Sequence, residues 1–290
     1  MIGKSYRPHC CFRLLFLLLP LPVVAQRQVS EVRADGHTTP MLVYDAVRAG
    51  KGCAPLAVIS HGAGGTENGY VYLARAMAQM GYTTVVMGHR ESGPEAMRVD
   101  ILRHVPEAVE SRKTEQARLL DVGAALKWAD EQCRSPFRVL LGHSMGSETV
   151  MLEAGAKNIV GVTSPPSGQD RFDAYVALSP EGPGNHFPDH AWTKIRKPVL
   201  ALTGTQDLAL NGRGWESRLI PWKEMPGSIG KCQWMAVIDG AKHMNFAGAG
   251  AEAGHVNAMA MATVGSFLDG ARKGNCPLPA VKAGMTVQAK

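Results

Sequence analysis

Short apolar, β-branched runs alternate along this chain with longer stretches whose apolar positions recur every three or four residues. The first periodicity is that of a strand and the second that of a helix face. Residues 28–33 and 40–47 read as two opening strands. The run 56–60 is apolar throughout and ends in His61-Gly62, as expected of a buried strand that feeds a glycine loop. Residues 70–80 carry apolar positions at helical spacing until Gly81 stops them, and 83–87 is β-branched and strand-like again. A long helix is predicted over 106–133, with Pro106 at its start and Leu119, Leu120, Ala124, Leu126 and Trp128 along it. Residues 137–141 form the next strand, followed by Gly142-His143-Ser144-Met145-Gly146 and a helix to about 157. Strands follow at 174–179, 199–203 and 233–238. A terminal helix is predicted over 256–272, with Met259, Ala262, Val264, Phe267 and Leu268 as its apolar face. Such alternation specifies an α/β architecture: a mostly parallel sheet of about eight strands, with helices on both faces.

The first 25 residues break this pattern. Lys4, Arg7 and Arg13 precede the apolar run 14–19, Pro20 and Pro22 interrupt it, and Val23-Val24-Ala25 close it. That order is the signature of an export signal cut after Ala25. The apolar stretch 14–25 is too short to cross a bilayer as a helix. Residues 26–290 are then the mature chain, a single domain, exported to a periplasm or the cell exterior and without stable membrane insertion. Cleavage removes three basic residues and no acids, so the formal charge falls from +6 to +3. No basic run remains, and nucleic acid is excluded as the expected partner. Cys10 and Cys11 leave with the signal. Cys53, Cys133, Cys232 and Cys276 remain, an even number that suggests disulfides and allows three pairings.

Candidate chemistry centres on Gly142-x-Ser144-x-Gly146. This spacing places a serine on a sharp strand-to-helix turn, where any side chain at either glycine would strike the neighbouring strand or helix. The turn lifts the hydroxyl clear at the C-terminal edge of the sheet, and the helix N-terminus adds partial positive charge there. The glycine loop His61-Gly62-Ala63-Gly64-Gly65 also leaves a strand end, so its backbone N–H groups can face a developing oxyanion. Ala63 is the first candidate donor and Met145, the residue after the nucleophile, the second. His61 is read as holding the loop by hydrogen bonding. A serine needs a base, and His243 follows the strand 233–238 on the same edge, late in the chain. Asp207 follows the strand 199–203 and is the candidate acid, with Glu181 after the strand 174–179 as its rival. Asp173 precedes a strand and belongs to the wrong edge, and Asp239 is a candidate for orienting the histidine loop.

Together these residues resemble the α/β-hydrolase superfamily over nearly the whole mature chain. The stretch Ser60-His-Gly-Ala-Gly-Gly-Thr, with Gly69-Tyr70 and Gly81-Tyr82 before a strand, resembles dienelactone-hydrolase-like and platelet-activating-factor-acetylhydrolase-like esterases. Dienelactone hydrolases proper use a cysteine where this chain has Ser144, which turns the expectation toward serine esterases. The strand order implied by the resemblance sets the strand at 56 beside the one at 137. Cys53 and Cys133 would then meet at one sheet edge, and Cys232 with Cys276 would make a second bridge.

The resemblance implies cleavage of carboxylic esters through an acyl-enzyme, with no metal or organic cofactor. The short segment 181–197 implies no large lid and a cleft open to small or extended esters. Peptide, amide or thioester cleavage by the same triad is the alternative within enzymes. A noncatalytic binding protein on the same fold is the alternative of another class.

Overall fold

The computed structural model describes residues 24–47, 51–98, 112–163, 170–209, 212–280 and 283–290. The predicted export segment lies outside the described residues, Val24 and Ala25 excepted.

Among these residues nine strands form one sheet: β1 (Gln26–Val32), β2 (Thr38–Tyr44), β3 (Leu56–Ser60), β4 (Thr83–Met87), β5 (Arg138–His143), β6 (Ala174–Leu178), β7 (Val199–Gln206), β8 (Gln233–Lys242) and β9 (Met285–Ala289). Their spatial order is β1-β2-β4-β3-β5-β6-β7-β8-β9. From β4 to β8 all neighbours are parallel, while β1, β2 and β9 join antiparallel at the two ends. Among the described residues five α-helices accompany the sheet: α1 (Val71–Gln79), α2 (Arg112–Gln132), α3 (Met145–Glu153), α4 (Ile220–Glu224) and α5 (Ala253–Lys273).

Burial on both faces explains why the central strands are unbroken apolar runs. Successive residues of β3 and β5 point to opposite sides, as the strand period requires. Ala57, Ile59, Val139 and Leu141 pack with α1 and α5, and Leu56, Val58 and Leu140 pack with α2 and α3. All nine residues of α3 are buried. Gly274, at φ +69°, closes α5, whose last turn carries Arg272 and Lys273 where cations complement the helix dipole.

The predicted alternation of elements holds, with informative departures. A ninth strand pairs with β8; its run MTVQA alternates buried and exposed positions but is short enough to escape notice. β8 continues to Lys242, four residues beyond the predicted end, and this carries the chain straight to His243. The helix after the elbow stops at Glu153 rather than 157, and Gly155 takes φ +96° just beyond it. Ala262, predicted on the apolar face of α5, is exposed. The predicted start of the long helix at Pro106 lies outside the described residues. The connection from β6 to β7, residues 179–198, holds turns but no helix, in line with a chain lacking a large lid there. No helix among the described residues is long and apolar enough to cross a membrane.

Cys53 and Cys133 lie at disulfide distance, with Cα atoms 5.6 Å apart, and so do Cys232 and Cys276, at 5.0 Å. These are the two pairs implied by the resemblance. Three of the four cysteines stand just before the N-terminal ends of β3, β5 and β8, the sheet edge opposite the candidate site.

Candidate active site

β5 ends in the middle of the sheet, beside the point where strand order reverses around β3. Crevices for ligands open at such switch points, outside the strands' C-terminal ends. The chain turns there at Ser144, held at φ 55°, ψ −124°, a conformation that costs energy in any residue but glycine. A Cβ on Gly142 would overlap the Gly146 carbonyl, and one on Gly146 would overlap the Ser60 carbonyl. Both glycines are therefore obligatory, because helix, turn and β3 meet at backbone contact.

Three of the predicted side chains converge on this turn. Ser144 Oγ lies 3.0 Å from His243 Nε2, and His243 Nδ1 lies 2.8 Å from Asp207 Oδ1. Asp207 is buried at the end of β7, whereas the His243 side chain is 23 % exposed. Thr203 donates to Asp207 Oδ2 at 2.7 Å, and Arg218 Nε stands 3.0 Å from Oδ1. Burial pushes the Asp207 carboxyl upward; the hydrogen bond from His243 and the charge of Arg218 outweigh it and hold the group below the usual carboxylate range. Asp207 is thus an anion within hydrogen-bond reach of His243 Nδ1, and Arg218 Nη2 lies 3.3 Å from the same nitrogen.

The competing carboxylates lie elsewhere. Glu181 stands 3.3 Å from Arg218 Nη1. Asp173 accepts from the Arg138 N–H at the opposite sheet edge. Asp239 accepts from Thr205 and so ties the ends of β7 and β8 together, rather than contacting the histidine loop.

The glycine loop adds donors. The N–H groups of Gly62, Gly64 and Gly65 are committed to Tyr70 Oη, the Ser92 carbonyl and the Gly62 carbonyl. That of Ala63, like that of Met145, finds no acceptor among the described residues. His61 holds the loop as expected: its Nδ1 lies 2.6 Å from the Gly62 carbonyl, and Nε2 accepts from the His89 N–H at 2.9 Å. A cavity of 490 Å³ opens beside the loop, lined by Gly65, Thr66, Glu67, His89, Arg90 and Arg98 among others.

Sequence reasoning missed two supports. Arg218 is wholly buried and also donates to the carbonyls of Ser179, Asp207 and Leu208, so it braces the segments that follow β6 and β7 around Asp207. No local pattern announces it. The second support is His143, inside the elbow motif itself. Tyr70 Oη donates to His143 Nδ1 at 2.8 Å, and His143 Nε2 donates to the His243 carbonyl at 3.1 Å. Burial, reinforced by the neighbouring His243, drives the His143 pKa well below that of a free imidazole, so this ring is a neutral strut. Its position beside Ser144 was the available signal.

No protein-family profile matches the chain, and no curated protein matches it. Solved structures do. Esterase Pf2001 of Pyrococcus furiosus superposes with TM-score 0.57 at 14 % identity, over 85 % of this chain and 92 % of that one. Est1E of Butyrivibrio proteoclasticus gives 0.57 at 16 %, over 83 % and 99 %. A dienelactone hydrolase of Anabaena variabilis gives 0.55 at 15 %, over 82 % and 96 %. The chain has the α/β-hydrolase fold.

Proposed function

We propose that this chain is a serine hydrolase that cleaves carboxylic esters through an acyl-enzyme. The observation that carries the reading is the unbroken line from Ser144 Oγ through His243 to a buried, anionic Asp207. In this reading Ser144 Oγ attacks the ester carbonyl while His243 Nε2 takes the hydroxyl proton. The N–H groups of Ala63 and Met145 receive the oxyanion, whose charge such preorganised donors stabilise. The carbon–oxygen bond then breaks, and the alcohol leaves with the proton held by His243. Water attacks the acyl-serine by the reverse proton path and releases the acid. None of these steps calls on a cofactor.

Leu208 and Met244, the residues after the acid and the base, are exposed large apolar side chains. They give the rim an apolar character suited to an aliphatic or aromatic ester. The names of the similar structures, esterases and a dienelactone hydrolase, agree with this choice. The cysteine pairs at disulfide distance agree with the further proposal that the chain is exported to an oxidising compartment and cut after Ala25.

The test is to label the protein with a fluorophosphonate, map the adduct and screen p-nitrophenyl esters by acyl length. Adduct on Ser144 with ester turnover is the expected result. Labelling without ester turnover would move the reading to amides or thioesters, and an unlabelled Ser144 would defeat the enzyme reading.

A further inference from the structure

A second group of buried side chains lies apart from the catalytic line. Glu115 comes from the first turn of α2, Glu148 from α3 and His186 from the β6–β7 connection. One potential ligand atom from each lies within 4.8 Å of the other two, and all three residues are buried. His186 Nδ1 stands 3.3 Å from Glu148 Oε2. Both carboxylate oxygens of Glu115 are buried without a hydrogen-bond partner among the described residues, and the side chain is 0 % exposed.

An ionised carboxylate in such surroundings is costly unless a cation or donors compensate it. The buried guanidinium of Arg118 has its hydrogen bonds committed elsewhere. Arg118 gives Nε to Thr149, Nη1 to Ser92, and Nη2 to Ser60 and the His61 carbonyl. These are the marks of a pocket short of positive charge.

We propose that Glu115, Glu148 and His186 form a structural site for a divalent transition-metal ion, with zinc the ion best suited to them. One imidazole nitrogen and two carboxylates are ligands that zinc accepts at about 2.0–2.2 Å. Tetrahedral binding needs the three atoms about 3.4 Å apart, within reach of small rotations about the glutamate side-chain bonds. The ion would neutralise the unpartnered carboxylate of Glu115. It would also pin α2 and the β6–β7 connection to α3, the helix that starts at Met145 behind the nucleophile.

The protein is stripped with EDTA, incubated with zinc chloride and dialysed, and its metal content and thermal melting are then measured. About one zinc per chain should remain, and at a hundredfold excess over Kd the melting temperature should rise by about 5 °C. Glu115→Gln removes the charge at constant shape. It should melt in EDTA no lower than the parent chain, retain no zinc and show no shift. A parent chain that retains no zinc, or a Glu115→Gln chain that retains as much as the parent, overturns the site. If Glu115→Gln does not fold, zinc-edge X-ray absorption on the His243→Ala protein decides. A shell of one imidazole with oxygen neighbours supports the site, whereas two or more imidazoles, or no bound zinc, overturn it.

Discussion

Among the described residues the Ser–His–Asp arrangement occurs twice. At the rim, Ser144 Oγ, His243 and Asp207 are spaced at 3.0 and 2.8 Å. In the interior, Ser60 Oγ lies 2.9 Å from His89 Nε2, and His89 Nδ1 lies 2.8 Å from Asp121 Oδ2. Composition and spacing do not distinguish them. Surroundings do. Ser60, His89 and Asp121 are at most 1 % exposed. Ser60 closes a regular strand, and its oxygen already accepts from Arg118. Burial, followed by the charges of Arg118 and Arg33, drives the His89 pKa far below that of a free imidazole, so this ring resists the proton a general base must take. Asp121 also accepts from Thr39 and Arg33, which makes the inner set part of a scaffold behind the glycine loop. The outer serine has a strained, lifted backbone, a partly exposed histidine and two unspent N–H groups beside it. If the proposed function holds, access, strain and free N–H donors are what separate a catalytic triad from the same three side chains in a scaffold.

Four experiments would break or sharpen this contrast. The largest effect is expected from Ser144→Ala, which should lower kcat/KM for a p-nitrophenyl ester by roughly 10⁴-fold or more. Ser60→Ala should stay within about tenfold of the parent and instead lower stability by about 1–3 kcal/mol, for leaving buried donors unpaired. Equal activity losses in both would erase the distinction. The acids should separate in the same way. Asp207→Asn should cost on the order of 10⁴ in kcat. Asp121→Asn should cost about 3 kcal/mol in urea unfolding, with kcat little changed, because it breaks a buried ion network.

Tyr70→Phe removes the hydroxyl that serves both the Gly62 N–H and His143. About a tenfold loss of kcat, with the fold kept by circular dichroism, would mark this bridge as positioning the loop and the base; unchanged kcat would reduce it to packing. The smallest effect lies on the acid limb of stability. Because Asp207 is held below its unfolded value, its ionisation adds stability that is fully present above the unfolded pKa of about 3.9 and fades as pH falls through the lower folded value. Urea midpoints between pH 6 and 3 should therefore fall more steeply in the parent than in Asp207→Asn. Parallel curves would contradict the depressed pKa.

The order of strands and helices, the elbow around Ser144 and the placement of Asp207 and His243 after β7 and β8 were all legible in the chain. The reason is local. Period-two and period-3.6 patterns state which face is buried, and a motif spanning five residues carries its own geometry in its glycines. Ala63 was a candidate donor from the strand-to-loop transition alone. Its neighbours' N–H groups turning out to be occupied is a matter of contacts that no linear pattern displays. β9, the length of β8 and the exposure of Ala262 depended on which surfaces other elements happened to cover.

What the tertiary structure alone decided is the company each polar group keeps. Asp207 was preferred to its rival Glu181 among residues after strands, but only the fold set Asp207 against both His243 and Arg218 and left Glu181 on Arg218. Ser60, His89 and Asp121 gave no warning of their alignment, and neither did Glu115, Glu148 and His186 of theirs, because each group gathers residues from well-separated parts of the chain. Local sequence encodes backbone shape through sterics and periodicity. The dielectric, charge and reach that turn a side chain into a base, a strut or a ligand are sums over neighbours, which exist only once the chain has folded.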